Sequence, residues 1–131
     1  MPQTILIVDD DPDISTPLKE CLEAHGYQVT VAGDGLQAIQ QACDAQPDII
    51  ILDFNMPGGG GTAAYVCLRE LKPTLQTPVI FLTGVTLAEV KNSVSLDAHT
   101  YFISKPAGLD QLLPVIRQAL AEATAGGRAP K

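Results

Sequence analysis

The residues best suited to chemistry in this 131-residue chain stand at the ends of short apolar runs. Asp9 and Asp10 follow Thr4-Ile5-Leu6-Ile7-Val8, and Asp53 follows Ile49-Ile50-Ile51-Leu52. Thr83 follows Pro78-Val79-Ile80-Phe81-Leu82, and Lys105 follows Tyr101-Phe102-Ile103-Ser104. Carboxylates gathered in one pocket repel, and a divalent cation relieves that repulsion. A small set of hard oxygen ligands suits Mg2+, with Mn2+ as its substitute, because Mg2+ keeps several waters and takes few carboxylates. A lysine ammonium and a threonine hydroxyl beside them would hold anionic oxygens. These groups together fit phosphoryl transfer, which is catalysed mainly by positioning and charge neutralisation. One carboxylate must attack. Asp53, alone at the end of its run, is the candidate nucleophile.

Such convergence requires all the runs to end on one rim, which is what parallel strands provide. Ile49 to Leu52 reads as a strand buried on both faces, the pattern of parallel sheets flanked by helices. Thr4–Val8, Pro78–Leu82 and Tyr101–Ser104 read as further strands, and Gln28–Ala32 alternates as an edge strand does. Between them lie helical patterns. Asp11-Pro12 is an N-cap with proline at the first helical position, leading to a stripe of Ile14, Leu18, Cys21 and Leu22 that stops at Gly26. Leu36, Ile39 and Cys43 mark the second helix, and Ala63, Val66, Cys67 and Leu71 mark a third over Thr62–Leu71. Thr86-x-x-Glu89 is a capping box before Leu87, Val90, Val94 and Leu96. Leu109, Leu112, Leu113, Ile116 and Leu120 form the stripe of the last helix. Strand–helix alternation with right-handed crossovers predicts an α/β fold: a doubly wound five-stranded parallel sheet, flavodoxin-like order 2-1-3-4-5, with helices on both faces. Strands about 4.8 Å apart let the rim residues meet.

The predicted domain spans 1–121, and the small, polar segment 122–131 reads as a flexible tail or linker stub. The net charge of −7 and pI near 4.5 argue against direct nucleic-acid contact. No apolar run approaches the roughly 20 residues that cross a bilayer, and no signal-peptide pattern opens the chain, so a cytoplasmic location is expected. Cys21, Cys43 and Cys67 form no CxxC pair and fall among apolar residues, which predicts buried, reduced thiols.

Four motifs carry a resemblance: Ile5-Leu-Ile-Val-Asp9-Asp10-Asp11-Pro12, Asp48-Ile-Ile-Ile-Leu-Asp53-Phe-Asn-Met-Pro57, Phe81-Leu-Thr83-Gly84 and Ser104-Lys105-Pro106. In this order and spacing they resemble the receiver domain of two-component response regulators, chemotaxis receivers among them, over residues 4 to 121. The resemblance implies that Asp53 accepts a phosphoryl group from a sensor histidine kinase or a histidine phosphotransfer protein. It implies Mg2+ held by Asp9, Asp10, Asp53 and the backbone carbonyl of Asn55, with Thr83 and Lys105 on the phosphoryl oxygens. Thr83 and Phe102 would reorient together and remodel the face formed by helix four, strand five and helix five. Asn55 and Val85 would flank the attacking water and tune the phosphoryl lifetime, and the Lys105–Pro106 peptide would be cis. Such a protein is a phosphoacceptor signalling domain with weak self-phosphorylating and self-dephosphorylating chemistry, rather than a multi-turnover enzyme. Its output is a downstream protein target or a fused domain, and a phosphorylation-linked homodimer is compatible with that family.

The chain also departs from the family pattern. Gly60-Gly61 replaces the usual Asp-Gly, Ala98-His99 replaces Gly-Ala, Ala107 stands where Phe is common, and Phe102 replaces Tyr. The glycines at 58–61 predict a flexible loop beside the site.

Two rival chemistries fit less well. Asp9-x-Asp11-x-Asp13 with Glu20 partly mimics a calcium-binding EF-hand loop, but the turn glycine is missing and a strand precedes it. A haloacid-dehalogenase-like phosphatase would use Asp9 as nucleophile and Asp11 as acid/base. It lacks the acidic pair such enzymes carry after the lysine, where Asp110 is the only aspartate that follows, and it leaves Asp53 unexplained.

Overall fold

In a computed structural model of the chain, residues 3–53, 60–74, 76–84, 86–93, 99–104 and 109–125 are described. Strands and helices alternate: β1 (Thr4–Val8), α1 (Pro12–Ala24), β2 (Gln28–Ala32), α2 (Gly35–Ala45), β3 (Ile49–Leu52), α3 (Gly60–Glu70), β4 (Val79–Thr83), α4 (Leu87–Ser93), β5 (Thr100–Ser104) and α5 (Leu109–Ala125). A 3-10 turn at Lys72–Thr74 follows α3. The five strands form one sheet in the order β2-β1-β3-β4-β5, every pair parallel. This is the flavodoxin-like order expected from the sequence.

β3 sits at the centre because its four residues are apolar on both faces, and all four are buried. The strand period of two divides them. Ile50 and Leu52 join Leu6, Val8 and Phe81 in the cluster covered by α2, α3 and α4, while Ile49 and Ile51 join Ile5, Ile7 and Ile80 in the cluster covered by α1 and α5. Each fully buried aliphatic side chain contributes about 1.5–3 kcal/mol of transfer free energy. A polar residue at any of these positions would break the layer that carries the rim. β2, at the edge, alternates as expected, with Val29 and Ala32 buried and Gln28 and Thr30 exposed.

Helix ends follow their signals. Asp11 caps α1, its carboxylate accepting from the Asp13 N–H at 2.9 Å. The capping box of α4 forms in both directions, Thr86 N–H to Glu89 Oε2 at 2.8 Å and Glu89 N–H to Thr86 Oγ1 at 3.2 Å.

Helix faces differ from the sequence reading in three places. In α2 the residues against the sheet are Ala38 and Ala42, while Leu36 is 67% exposed and Ile39 and Cys43 are half-buried. Small side chains let the helix approach the sheet closely, so the bulkiest residues are not the innermost. In α3 the buried face is Ala64, Tyr65 and Leu68, and Ala63, Val66 and Cys67 face solvent. Burying the Tyr65 ring against Phe81, centroids 5.0 Å apart, rotates the helix away from the Val66–Cys67 side. The expected burial of the thiols also fails: Cys21 and Cys67 are exposed, and Cys43 is half-buried.

Boundaries shift as well. α3 begins at Gly60, so Gly60 and Gly61 form its first turn rather than loop, and α5 runs to Ala125, making 122–125 of the expected tail helical. β4 is shifted by one residue at both ends, to Val79–Thr83, and β5 starts one residue earlier than read, at Thr100–Ser104. Val94 and Leu96, expected on the α4 stripe, lie outside the described residues. Among the described residues no helix is long and apolar enough to cross a membrane.

Candidate functional site

The site is built by strand register. Val8 of β1 pairs with Leu52 of β3, and the next residue on each is an aspartate, Asp9 and Asp53. Both stay in the ladder one bond beyond their strands: Asp9 N–H donates to the Ala32 carbonyl at 3.1 Å, and Asp53 N–H donates to the Val8 carbonyl at 2.9 Å. Asp9 is 5% exposed, Asp53 is 8% exposed, and Asp10 faces solvent. One carboxylate oxygen from each of Asp9, Asp10 and Asp53 lies within 4.8 Å of the others. The expected convergence of these three residues is therefore present.

Asp9 is aimed by its own loop. Its Oδ1 accepts the Asp11 N–H at 2.9 Å, while the Asp11 carboxylate is engaged in capping α1. That arrangement gives Asp11 a structural task. The segment from Asp9 follows a strand and enters α1 at once, which excludes the helix–loop–helix of an EF-hand.

Thr83 closes β4 on the same rim and is fully buried. Phe81 pairs with Phe102 of β5, and Thr83 pairs with Ser104. Alternation along β4 places Thr83 on the face of Phe81, where Phe102 also packs, so Thr83 and Phe102 are diagonal neighbours across two strands. Lys105, Pro106, Asn55 and Val85 lie outside the described residues, as do Gly58 and Gly59.

The chemical character of this rim is clear from the described residues. Three carboxylates with little water around two of them form a hard-oxygen donor set that fits a divalent cation. A buried hydroxyl lies one strand beyond. Sequence periodicity gave no role to Tyr65 or Arg69 and treated Tyr101 as packing, yet all three make hydrogen bonds between elements at the opposite end of the sheet. Such pairwise contacts leave no periodic signal.

Comparison with known proteins places this arrangement in a family. Residues 5–117 match the model of the response regulator receiver domain. The chain is 35% identical over 122 residues to the transcriptional regulatory protein KdpE of Mycobacterium tuberculosis, covering 92% of this chain and 52% of that protein. It thus spans about half the length of the curated relatives it matches. Among solved structures, a CheY-like response regulator receiver from Methanospirillum hungatei superposes with a TM-score of 0.87 at 29% identity, covering 97% of this chain and all of that one. The receiver domain of the sensor histidine kinase PA1611 from Pseudomonas aeruginosa, which has a magnesium ion coordinated in its active site cleft, gives 0.83 at 26% identity, covering 92% and 99%. The chain belongs to the response regulator receiver domain family.

Proposed function

We propose that Asp53 is the phosphoacceptor of this receiver and that Asp9, Asp10 and Asp53, with the Asn55 carbonyl, hold Mg2+ or Mn2+ beside it. The observation that carries this reading is the convergence of the three carboxylates within 4.8 Å at the end of the central strands. Asp53 stands between the neighbouring strands β1 and β4, and its backbone is fixed to Val8. The donor is a phosphohistidine on a sensor kinase or phosphotransfer protein. A carboxylate oxygen of Asp53 forms the new P–O bond as the P–N bond to the donor imidazole breaks, and the released nitrogen takes up a proton. When bound, the cation neutralises charge on the phosphoryl oxygens. Thr83 donates its hydroxyl to one such oxygen, and Lys105 supplies a fixed positive charge to another. Phe102 follows Thr83 on their shared face, which remodels the surface of α4, β5 and α5 for a downstream protein or a fused output domain. Self-phosphorylation and self-dephosphorylation are slow, and the chain works in the cytoplasm without direct nucleic-acid contact.

The test is mass spectrometry after incubation with acetyl phosphate and Mg2+. The wild type gains about 80 Da and Asp53→Ala gains nothing. Equal labelling of Asp53→Ala would remove Asp53 from this role. Steady release of phosphate by Asp53→Ala, lost in Asp9→Ala, would instead favour the phosphatase chemistry.

A further inference from the structure

β5 lies at the edge of the sheet beside β4, and its first residues are held by polar contacts from both faces. On the α3 side, Tyr65 Oη and Thr100 Oγ1 share a 2.7 Å hydrogen bond. One Arg69 nitrogen donates to Thr100 Oγ1 and to the His99 carbonyl, both at 3.4 Å. The other donates to the Thr77 carbonyl at 2.6 Å and the Thr74 carbonyl at 3.1 Å. The guanidinium also sits 5.4 Å from the Tyr65 ring centroid. A single arginine thus fastens α3 to the segments entering both β4 and β5.

The opposite face holds Tyr101. Its ring packs with the cluster under α1 and α5, and its hydroxyl donates to Glu122 Oε1 near the end of α5. The second oxygen of Glu122 accepts from Gln118 Nε2 at 3.4 Å. Burial first, then the hydrogen bond and charge of Glu122, push Tyr101 up to about 12, so the hydroxyl keeps its proton at physiological pH.

Further along the strand the contacts change character. Phe102 packs on the α2–α4 cluster, Ile103 packs on the α1–α5 cluster, and Ser104 is exposed. Apolar contact is non-directional and tolerates sliding, whereas hydrogen bonds demand fixed distances and angles. The β4–β5 ladder runs through to Ser104, but among the described residues side-chain hydrogen bonds tie the strand to its neighbours at its start, while the side chains of Phe102 and Ile103 toward the site are held by apolar packing.

We propose that Thr100–Tyr101 is the fixed pivot of β5, so that phosphorylation displaces the strand on the site side of the pivot and leaves the end of α5 in place. The inference rests on reading the site as a phosphoryl switch. Its consequence is spatial: a partner that distinguishes the two states reads Phe102–Ser104 and the elements packed on them, and does not read Gln118–Glu122.

The experiment is amide hydrogen exchange on the full chain, with and without beryllofluoride plus Mg2+ as the phosphoryl mimic. In the wild type, amides of 102–104 change at least about five-fold, while Thr100, Tyr101 and 118–122 stay within about two-fold. In Tyr101→Phe, and equally in Glu122→Ala, which cuts the same tie from the other side, 118–122 joins the response. A wild type whose 118–122 segment responds as strongly as 102–104 overturns the pivot, and so does either variant that keeps the wild-type pattern. Silence throughout the wild type, at 102–104 as well, overturns the phosphoryl-switch reading and the pivot with it.

Discussion

The Asp53 N–H donates to the Val8 carbonyl at 2.9 Å, which continues the β1–β3 ladder past the last paired residues, Val8 and Leu52. The position of the candidate phosphoacceptor is thereby set by the sheet and not by the loop that follows it. Asp9 is fixed in the same way to Ala32 of β2. Two of the three carboxylates are thus brought together by backbone bonds of the sheet. Repulsion between them is a standing cost of the fold, and a site on rigid elements is preorganised for the ion that removes it.

Mg2+ should therefore stabilise the chain. At ten times its dissociation constant the stabilisation is about 1.4 kcal/mol, a rise in Tm of about 5 °C for a domain of this size. Asp9→Asn should lose most of that rise while gaining stability in the absence of metal, because one repelling charge is gone. Thermal unfolding with and without millimolar Mg2+ checks both directions. An unchanged wild-type Tm would count against a competent cation site.

Legibility divides along physical lines. The strands, their order and the placement of Asp9, Asp10, Asp53 and Thr83 on one rim are readable because runs such as Ile49–Leu52 are apolar on both faces, and because these runs end in polar groups costly to bury without a purpose. The helix faces of α2 and α3 are not. Periodicity weights Leu36, Val66 and Cys67 by hydrophobicity, whereas the packed helix is rotated by close approach at Ala38 and Ala42 and by the Tyr65–Phe81 contact. The ties of Arg69 and of Tyr101 to Glu122 join residues far apart in sequence, so no local pattern announces them.

That rotation of α2 yields a sharp contrast. Leu36 is 67% exposed and Ala42 is fully buried. Leu36→Gln is expected to change stability by less than about 0.5 kcal/mol, whereas Ala42→Leu should cost about 1–3 kcal/mol through overpacking. Urea denaturation midpoints decide between the two helix faces. The reverse ranking would restore the stripe of Leu36, Ile39 and Cys43 as the inward one.

With Asp53 as the proposed phosphoacceptor, Val85 is expected to bear on the lifetime of the phosphorylated state. It stands two residues beyond Thr83, as Asn55 stands two beyond Asp53, and its side chain has no group that orients water by hydrogen bonding. Val85→Glu is expected to speed loss of the phosphoryl group by about three-fold or more, equivalent to roughly 0.7 kcal/mol off the barrier. Decay of the ~80 Da adduct after donor removal gives both rates. Faster decay in the wild type would refute the assignment.

The Tyr101–Glu122 hydrogen bond carries a pH signature of its own. Tyr101 is raised from 10.0 to about 12, by burial first and then by the hydrogen bond and charge of Glu122. A group whose pKa is raised on folding stabilises the native state fully below its unfolded value and loses that contribution as pH climbs through the folded one. The window is therefore pH 10 to 12. Below pH 10 the wild type should exceed Tyr101→Phe in stability by a constant margin, kept modest by the half-exposed position of the side chain. Between pH 10 and 12 the margin should shrink, because the tyrosinate would face the Glu122 carboxylate with no proton to share. Chemical denaturation of both proteins at pH 8, 10 and 11.5 measures it. A margin that stays flat through this range would show that the hydroxyl is not the donor that ties β5 to α5.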